Sequence, residues 1–251
     1  MRSFLSRGLL ATLLWAAVVL TTGCAAREPD DSFGTGEWQG ALSGNELDPV
    51  SRLSAGLNHS LYVTRAGTVW SWGLNAQGQL GDGTLLQRLT PMQVAGLLKV
   101  KAVATGNNHS LALGDDGTVW AWGSNAEGQL GGGGTSPRLA PAPVEGLSRV
   151  TAIAAGTLHS LALREGEVWA WGNNTSGQLG DGSFTSRASP VRVSGLSGVT
   201  AIAAGDVHSL ALLGDGTVMA WGGNYTGQLG DGTVATRSEP RRVTGLKDIR
   251  T

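Results

Sequence analysis

Beyond residue 50, apolar and polar positions alternate in short runs, and the same runs return about every fifty residues. One pass reads V-x-A-I-A-A-G, then H-S-L-A-L, then T-V-W-A-W-G, then a stretch led by proline; examples are Val199–Gly205, His159–Leu163, Thr118–Gly123 and Pro190–Val193. A period of two places Leu111 and Leu113 on one side of a strand, and Trp120 with Trp122 on one side of the next. Gly or Asp-Gly pairs such as Asp116-Gly117 and Asp215-Gly216 separate the runs and read as turns. The pattern predicts four short antiparallel strands per pass. The fourth begins after its proline, on an edge where a missing N–H is tolerated.

The repetition is dense enough to set the architecture. The block G-x-x-H-S-L places His59, His109, His159 and His208, and W-G-x-N-x-x-G-Q-L-G follows with Trp72, Trp122, Trp171 and Trp221. Prolines trail these at Pro91, Pro141, Pro190 and Pro240. The units run 50–99, 100–149, 150–198 and 199–248, with the start of a fifth at Ile249. Four-stranded units repeated radially predict an all-β fold, a β-propeller with four blades present. Each blade needs a neighbour to cover its apolar face, so the repeated Trp residues are expected between blades and the repeated His residues to pin turns through the backbone. The copies also drift: Met219 replaces a Trp, unit three is one residue shorter at Arg164-Glu165-Gly166, and Gly132 stands where Asp82, Asp181 and Asp231 stand elsewhere.

Composition adds two points. The 40 glycines among 251 residues exceed the usual share of roughly 7%, but they fall at fixed offsets, which indicates turns rather than a linker. The balance of 18 basic against 19 acidic side chains, with no basic run, gives no support for a nucleic-acid face. The single cysteine excludes an internal disulfide. Residues 1–23 read as a signal peptide: Arg2 and Arg7 lead an apolar core from Leu9 to Leu20, too short for a span of about 20 residues. Thr21-Thr22-Gly23 before Cys24 resembles a bacterial lipobox, although Leu20 sits one place early. Cys24 is therefore the expected lipid attachment site, and residues 24–49 a polar tether.

Four histidines at one repeat position raise the question of a metal. Equivalent positions on adjacent blades spread around an axis, whereas ligands must converge within about 2.1 Å of one ion, so no metal and no cofactor is expected. The G-D-G-T aspartates lack the spacing of a calcium loop, and no nucleophile elbow or phosphate loop is present. Binding is expected where copies differ, in the loop before each proline. Leu85, Thr135, Phe184 and Val234 occupy one position there, Tyr225 is unique at another, and Arg88, Arg138, Arg187 and Arg237 recur in the same loop. The alternative is that the apolar residues plug blade rims and the arginines bond carbonyls.

The W-G-x-N-x-x-G-Q-L-G and G-x-x-H-S-L blocks over residues 50–251 resemble the repeat of the regulator of chromosome condensation family. The resemblance implies a β-propeller, usually of seven blades, against which four units suggest a truncated frame or partial sequence. It also implies, as one alternative, nucleotide exchange on a small GTPase with chromatin binding; the extra hairpin of such exchange factors has no counterpart in these evenly spaced units. Another alternative is inhibition of an extracellular enzyme. A light-sensing role wants Trp before the His, where Asn58, Asn108, Leu158 and Val207 stand. The reading that joins these features is a non-catalytic propeller anchored in the bacterial cell envelope, on the outer membrane or the periplasmic or cell-surface side. It binds a protein or polysaccharide through its loops, and its open blade faces can self-associate.

Overall fold

The computed structural model describes residues 52–246 and Ile249; the expected signal peptide, Cys24 and the tether lie outside them. The described strands form four antiparallel sheets, each built from four consecutive strands in chain order. The first holds β1 (Leu53–Ala55), β2 (His59–Val63), β3 (Val69–Gly73) and β4 (Arg88–Gln93). The second holds β5 (Val100–Thr105), β6 (His109–Gly114), β7 (Val119–Gly123) and β8 (Arg138–Pro143). The third holds β9 (Val150–Ala155), β10 (His159–Arg164), β11 (Glu167–Gly172) and β12 (Arg187–Arg192), and the fourth β13 (Val199–Ala204), β14 (His208–Leu213), β15 (Val218–Gly222) and β16 (Arg237–Arg242). From β5 on, the first strand of each sheet packs against the first and second strands of the sheet before it. These are propeller blades around a common axis, all-β as expected.

The two faces of each blade are chemically unlike, and that drives their stacking. In the second blade Leu111, Leu113, Val119 and Ala121 form one face with Leu130 and Val144; the third blade covers it with Ala162, Trp171 and the partly buried Trp169. The same arrangement joins the first blade to the second through Leu61, Val69 and Trp122, and the third to the fourth through Leu161, Ala170 and Trp221. Trp122, Trp171 and Trp221 are 0% exposed. Trp72 has no preceding sheet among the described residues and is only half-buried. At the other end Leu210 and Leu212 stay partly exposed where Leu111 and Leu161 are sealed.

Two details of the expected strands change. The fourth strand starts at Arg88, Arg138, Arg187 or Arg237, three residues before its proline. Each of these arginines pairs with the glycine that ends the third strand, past a register shift at the second Trp position. The proline sits inside an edge strand, where its lack of N–H leaves no ladder bond unmade. In unit three the missing residue leaves Glu165 and Gly166 alone between paired Arg164 and Glu167, both at positive φ, the two-residue hairpin turn that matches strand twist.

Each buried Trp also donates its indole N–H across the seam: Trp122 to the Gln79 carbonyl at 2.9 Å, Trp171 to Gln129 at 2.8 Å and Trp221 to Gln178 at 2.9 Å. Removing such a side chain opens a cavity and takes one of two donors from a buried carbonyl. Trp122→Ala and Trp171→Ala should each cost roughly 3–5 kcal/mol, and Trp122→Phe about 1–2 kcal/mol for the lost bond. Half-buried Trp72→Ala should cost clearly less, as should His109→Ala. Denaturant melts of these variants test the ranking, and a larger loss for His109→Ala than for Trp122→Ala would reverse it.

Candidate functional site

Chain direction alternates within a blade, so the β1–β2 and β3–β4 connections of every blade emerge at one end. The long β3–β4 loop, residues 74–87 and its equivalents, is built around the asparagine of W-G-x-N. Asn75 Oδ1 accepts from the Leu80 N–H at 2.9 Å while its Nδ2 donates to Asp82 and to the Thr84 carbonyl, each at 3.0 Å. Asn174 and Asn224 repeat this arrangement. Asn125 keeps the Leu130 bond and donates to the Gly134 and Ser136 carbonyls. A single side chain that bonds both ends of the loop fixes its path and satisfies buried polar groups together.

A second clamp involves the arginines singled out in the sequence. Arg88 pairs with Asp82 at 2.6 Å, Arg187 with Asp181 at 2.9 Å and Arg237 with Asp231 at 2.8 Å. Each aspartate also accepts from the backbone and hydroxyl of the residue two places on, Thr84, Ser183 or Thr233. These bonds hold the carboxyls below their ordinary range. For Asp82 burial opposes the shift and Thr84 and Arg88 override it; Asp231 is held at about 2, by Thr233 first and Arg237 after. These arginines bond carboxylates rather than carbonyls. Arg138 has no such aspartate, because Gly132 stands there.

The loop then reaches over the next blade. Gly83 N–H donates to the Leu139 carbonyl, Gly133 to Ala188 and Gly182 to Ser238, at 2.8–3.0 Å. This support leaves the loop tips free. Leu85 and Phe184 are 54% exposed, Tyr225 65% and Val234 68%, so these side chains do not plug the rims. Tyr225 is steadied by a hydroxyl contact to Ser176 of the preceding blade at 3.1 Å. Phe184 leans over the outer strand of the fourth blade, beside a depression of about 170 Å³ lined by Thr236, Arg237, Ser238, Glu239 and Arg241. The structure thus brings Phe184 and Arg237 together across a seam and spreads Leu85, Tyr225 and Val234 along the same end of the blades.

The opposite end holds a grouping that the sequence did not show. Arg52, Arg65, Lys99 and Lys101 surround a depression of about 170 Å³, with Asp115 as its acidic member. These cations come from three separate stretches of units one and two. Only the stacking of the first two blades brings them together, so no basic run marks them.

Three of the four repeat histidines, His59, His109 and His159, are seam residues. His59 Nε2 lies 2.9 Å from Ser110 Oγ, His109 3.1 Å from Ser160 and His159 3.0 Å from Ser209, each serine belonging to the next blade. Ser110 donates its one hydroxyl proton to the Gln79 carbonyl, and Ser160 and Ser209 act alike toward Gln129 and Gln178. The serine must therefore accept from imidazole, which fixes the Nε2–H tautomer. The expected bond to a turn backbone is replaced by this side-chain bond across the seam. Burial pushes His59 and His159 down to about 4, and burial followed by repulsion from the flanking histidines pushes His109 to about 3. With Nε2 donating to serine, the imidazoles of His59, His109 and His159 serve the seams.

A sequence model described as RCC1-like domain matches residues 20–251. Among solved structures, human WBSCR16 is similar at 31% identity and a TM-score of 0.70, over 78% of this chain and 53% of that one. Yeast RCC1 (Prp20) bound to Kap60 follows at 27% and 0.68, over 76% of this chain and 48% of that one. Saccharomyces cerevisiae Prp20p, studied for its binding to Gsp1p and histones, gives 26% and 0.68, over 76% and 49%. The chain spans about half the length of these relatives.

The seam histidines set a pH dependence. Their pKa values in the folded chain lie below the ordinary 6.5, so the unfolded chain binds more protons as pH falls, and stability that is full above pH 6.5 declines toward about 4. At pH 5 the loss should be about 2 kcal/mol per buried histidine. The aspartate clamps remain ionised at that pH and do not contribute. Urea melts at pH 7.5 and pH 5 test this; equal stabilities would mean that the histidines are not held neutral.

Proposed function

The chain belongs to the RCC1-like domain family, and from that premise we propose that it is a non-catalytic interaction module. It is anchored in the bacterial envelope through Cys24 and binds a protein partner through the β3–β4 loop ends of its blades. The observation that carries the binding surface is the row of exposed Leu85, Phe184, Tyr225 and Val234 on loops held rigid by asparagine hubs and aspartate–arginine clamps. Rigid loops lose little entropy on binding, and exposed aromatic tips are the side chains that most often anchor a partner. A protein is favoured over a polysaccharide because the similar Prp20 chain is bound to Kap60, and Prp20p was studied with Gsp1p and histones.

That likeness also favours a second reading, a regulator of a small GTPase or of chromatin. An exported, lipidated chain does not meet such partners, so cell fractionation separates the two.

Two experiments test the proposal. In cells expressing the full chain, Cys24→Ser should leave an unprocessed precursor and shift it out of the lipid-modified membrane fraction; unchanged processing and partitioning would remove the anchor. Phe184→Ala combined with Tyr225→Ala should weaken a cross-linked partner complex by about tenfold or more while leaving the melting temperature close to that of the parent. Retention of the same cross-linked species at full yield would place the partner elsewhere.

A further inference from the structure

The four β3–β4 loops share one backbone frame, and one of them lacks its carboxylate. Gly131 and Gly133 of the second blade have φ of 69° and 79°, against 71° and 79° for Gly81 and Gly83 in the first. Arg138 pairs with Gly123 as Arg88 pairs with Gly73. Yet the aspartate and the hydroxyl residue of the other loops, Asp82 with Thr84, are here Gly132 and Gly134. The donors that surround Asp82 are the Asn75 amide, the Thr84 N–H and hydroxyl, and the Arg88 guanidinium; the second blade keeps counterparts of all but the hydroxyl in Asn125, the Gly134 backbone and Arg138. The guanidinium has folded into the hollow, where a Cβ added at Gly132 would collide with it. Its Nη1 is buried and has no hydrogen-bond partner. A buried cationic N–H without an acceptor costs more than a missing bond elsewhere.

We propose that the β7–β8 loop is a receptor for a carboxylate carried on an aspartate or glutamate side chain of a protein partner, with Arg138 as its anchor. The proposal rests on the partner-binding reading above and gives that surface its first specific contact. The group that fills this place in the three sister loops is itself a side-chain carboxylate, so the frame retains all but one kind of the donors that hold one. Residues 132–137 are all exposed, which lets a side chain enter from solvent but gives a free small anion no walls. A carboxylate borne by a polypeptide gains from neighbouring contacts that acetate lacks.

The test follows the Arg138 Nε–H signal by NMR in the full chain, titrated with N-acetyl-aspartate amide, N-acetyl-asparagine amide, acetate and chloride at constant ionic strength. The aspartate probe should give a saturable shift at Arg138 only, at several-fold lower concentration than acetate, with asparagine and chloride inert. Gly132→Asp should abolish the response by supplying the carboxylate internally, and Arg138→Gln should remove it. The arginines of the three closed clamps should not move. An aspartate response no stronger than chloride, or one that persists in Gly132→Asp, overturns the site. Acetate matching the aspartate probe overturns the polypeptide source in favour of a free carboxylate. Because no partner is needed, failure here is distinguishable from failure of the partner complex to form.

Discussion

The structure depends on one backbone carbonyl per seam. The glutamine before each Q-L-G leucine presents its C=O to the next blade, and both the indole N–H and the serine hydroxyl of that blade donate to it. The serine then accepts from the histidine of the blade before, so histidine, serine, glutamine carbonyl and tryptophan form one buried node spanning two blades. Such a node has little room for substitution, because the carbonyl and the serine each serve two partners and every member is tied to them inside a buried seam. It also sets the glycine of G-x-x-H: a Cβ at Gly106 would collide with the His109 ring and the Gly156 carbonyl. The repeated Gly and His of G-x-x-H, the serine after it and the Trp of W-G all trace to that point of contact.

The alternating faces extend the same logic to the apolar side chains. Leucine and valine cover one side of a blade and tryptophan with small alanines the other, so blades stack head to tail in one sense only. Each seam is then a hydrophobic layer fixed in register by a polar node, and interface terms between blades add to the stability of each blade. Trp72 and Leu210, which no second described blade covers, are less buried than their internal counterparts.

Much of this was legible in the sequence because period two and period fifty are both visible there. The four-stranded unit, the interior position of Trp122, Trp171 and Trp221 and the Asp-Gly turns follow from alternation and turn chemistry. The start of the fourth strand was not legible: proline punctuates a strand in most contexts, and only the edge position of β4, β8, β12 and β16 permits it inside one. The histidine's partner was hidden for a different reason. The expected backbone bond is local, whereas the actual serine is 50 or 51 residues away, and nothing in a single repeat says which neighbour a side chain will meet. The basic depression at Arg52, Arg65, Lys99 and Lys101 escaped detection by the same route.

A repeat protein can bind specifically only where its copies are unequal, since identical surfaces offer a partner no register. The conserved positions here are committed: histidine, serine and tryptophan to the seams, asparagine and three of the four arginines to the loops. What remains for recognition is the set of residues whose change costs the frame nothing. Phe184 and Tyr225 add apolar area to loops already fixed by asparagine, and Gly132 takes an anion away from an arginine that the other copies neutralise. Each departure leaves the backbone in place and changes only what solvent meets. Rigidity and variability are therefore not in competition along these loops, because the bonds that give the first are made by side chains other than those that supply the second.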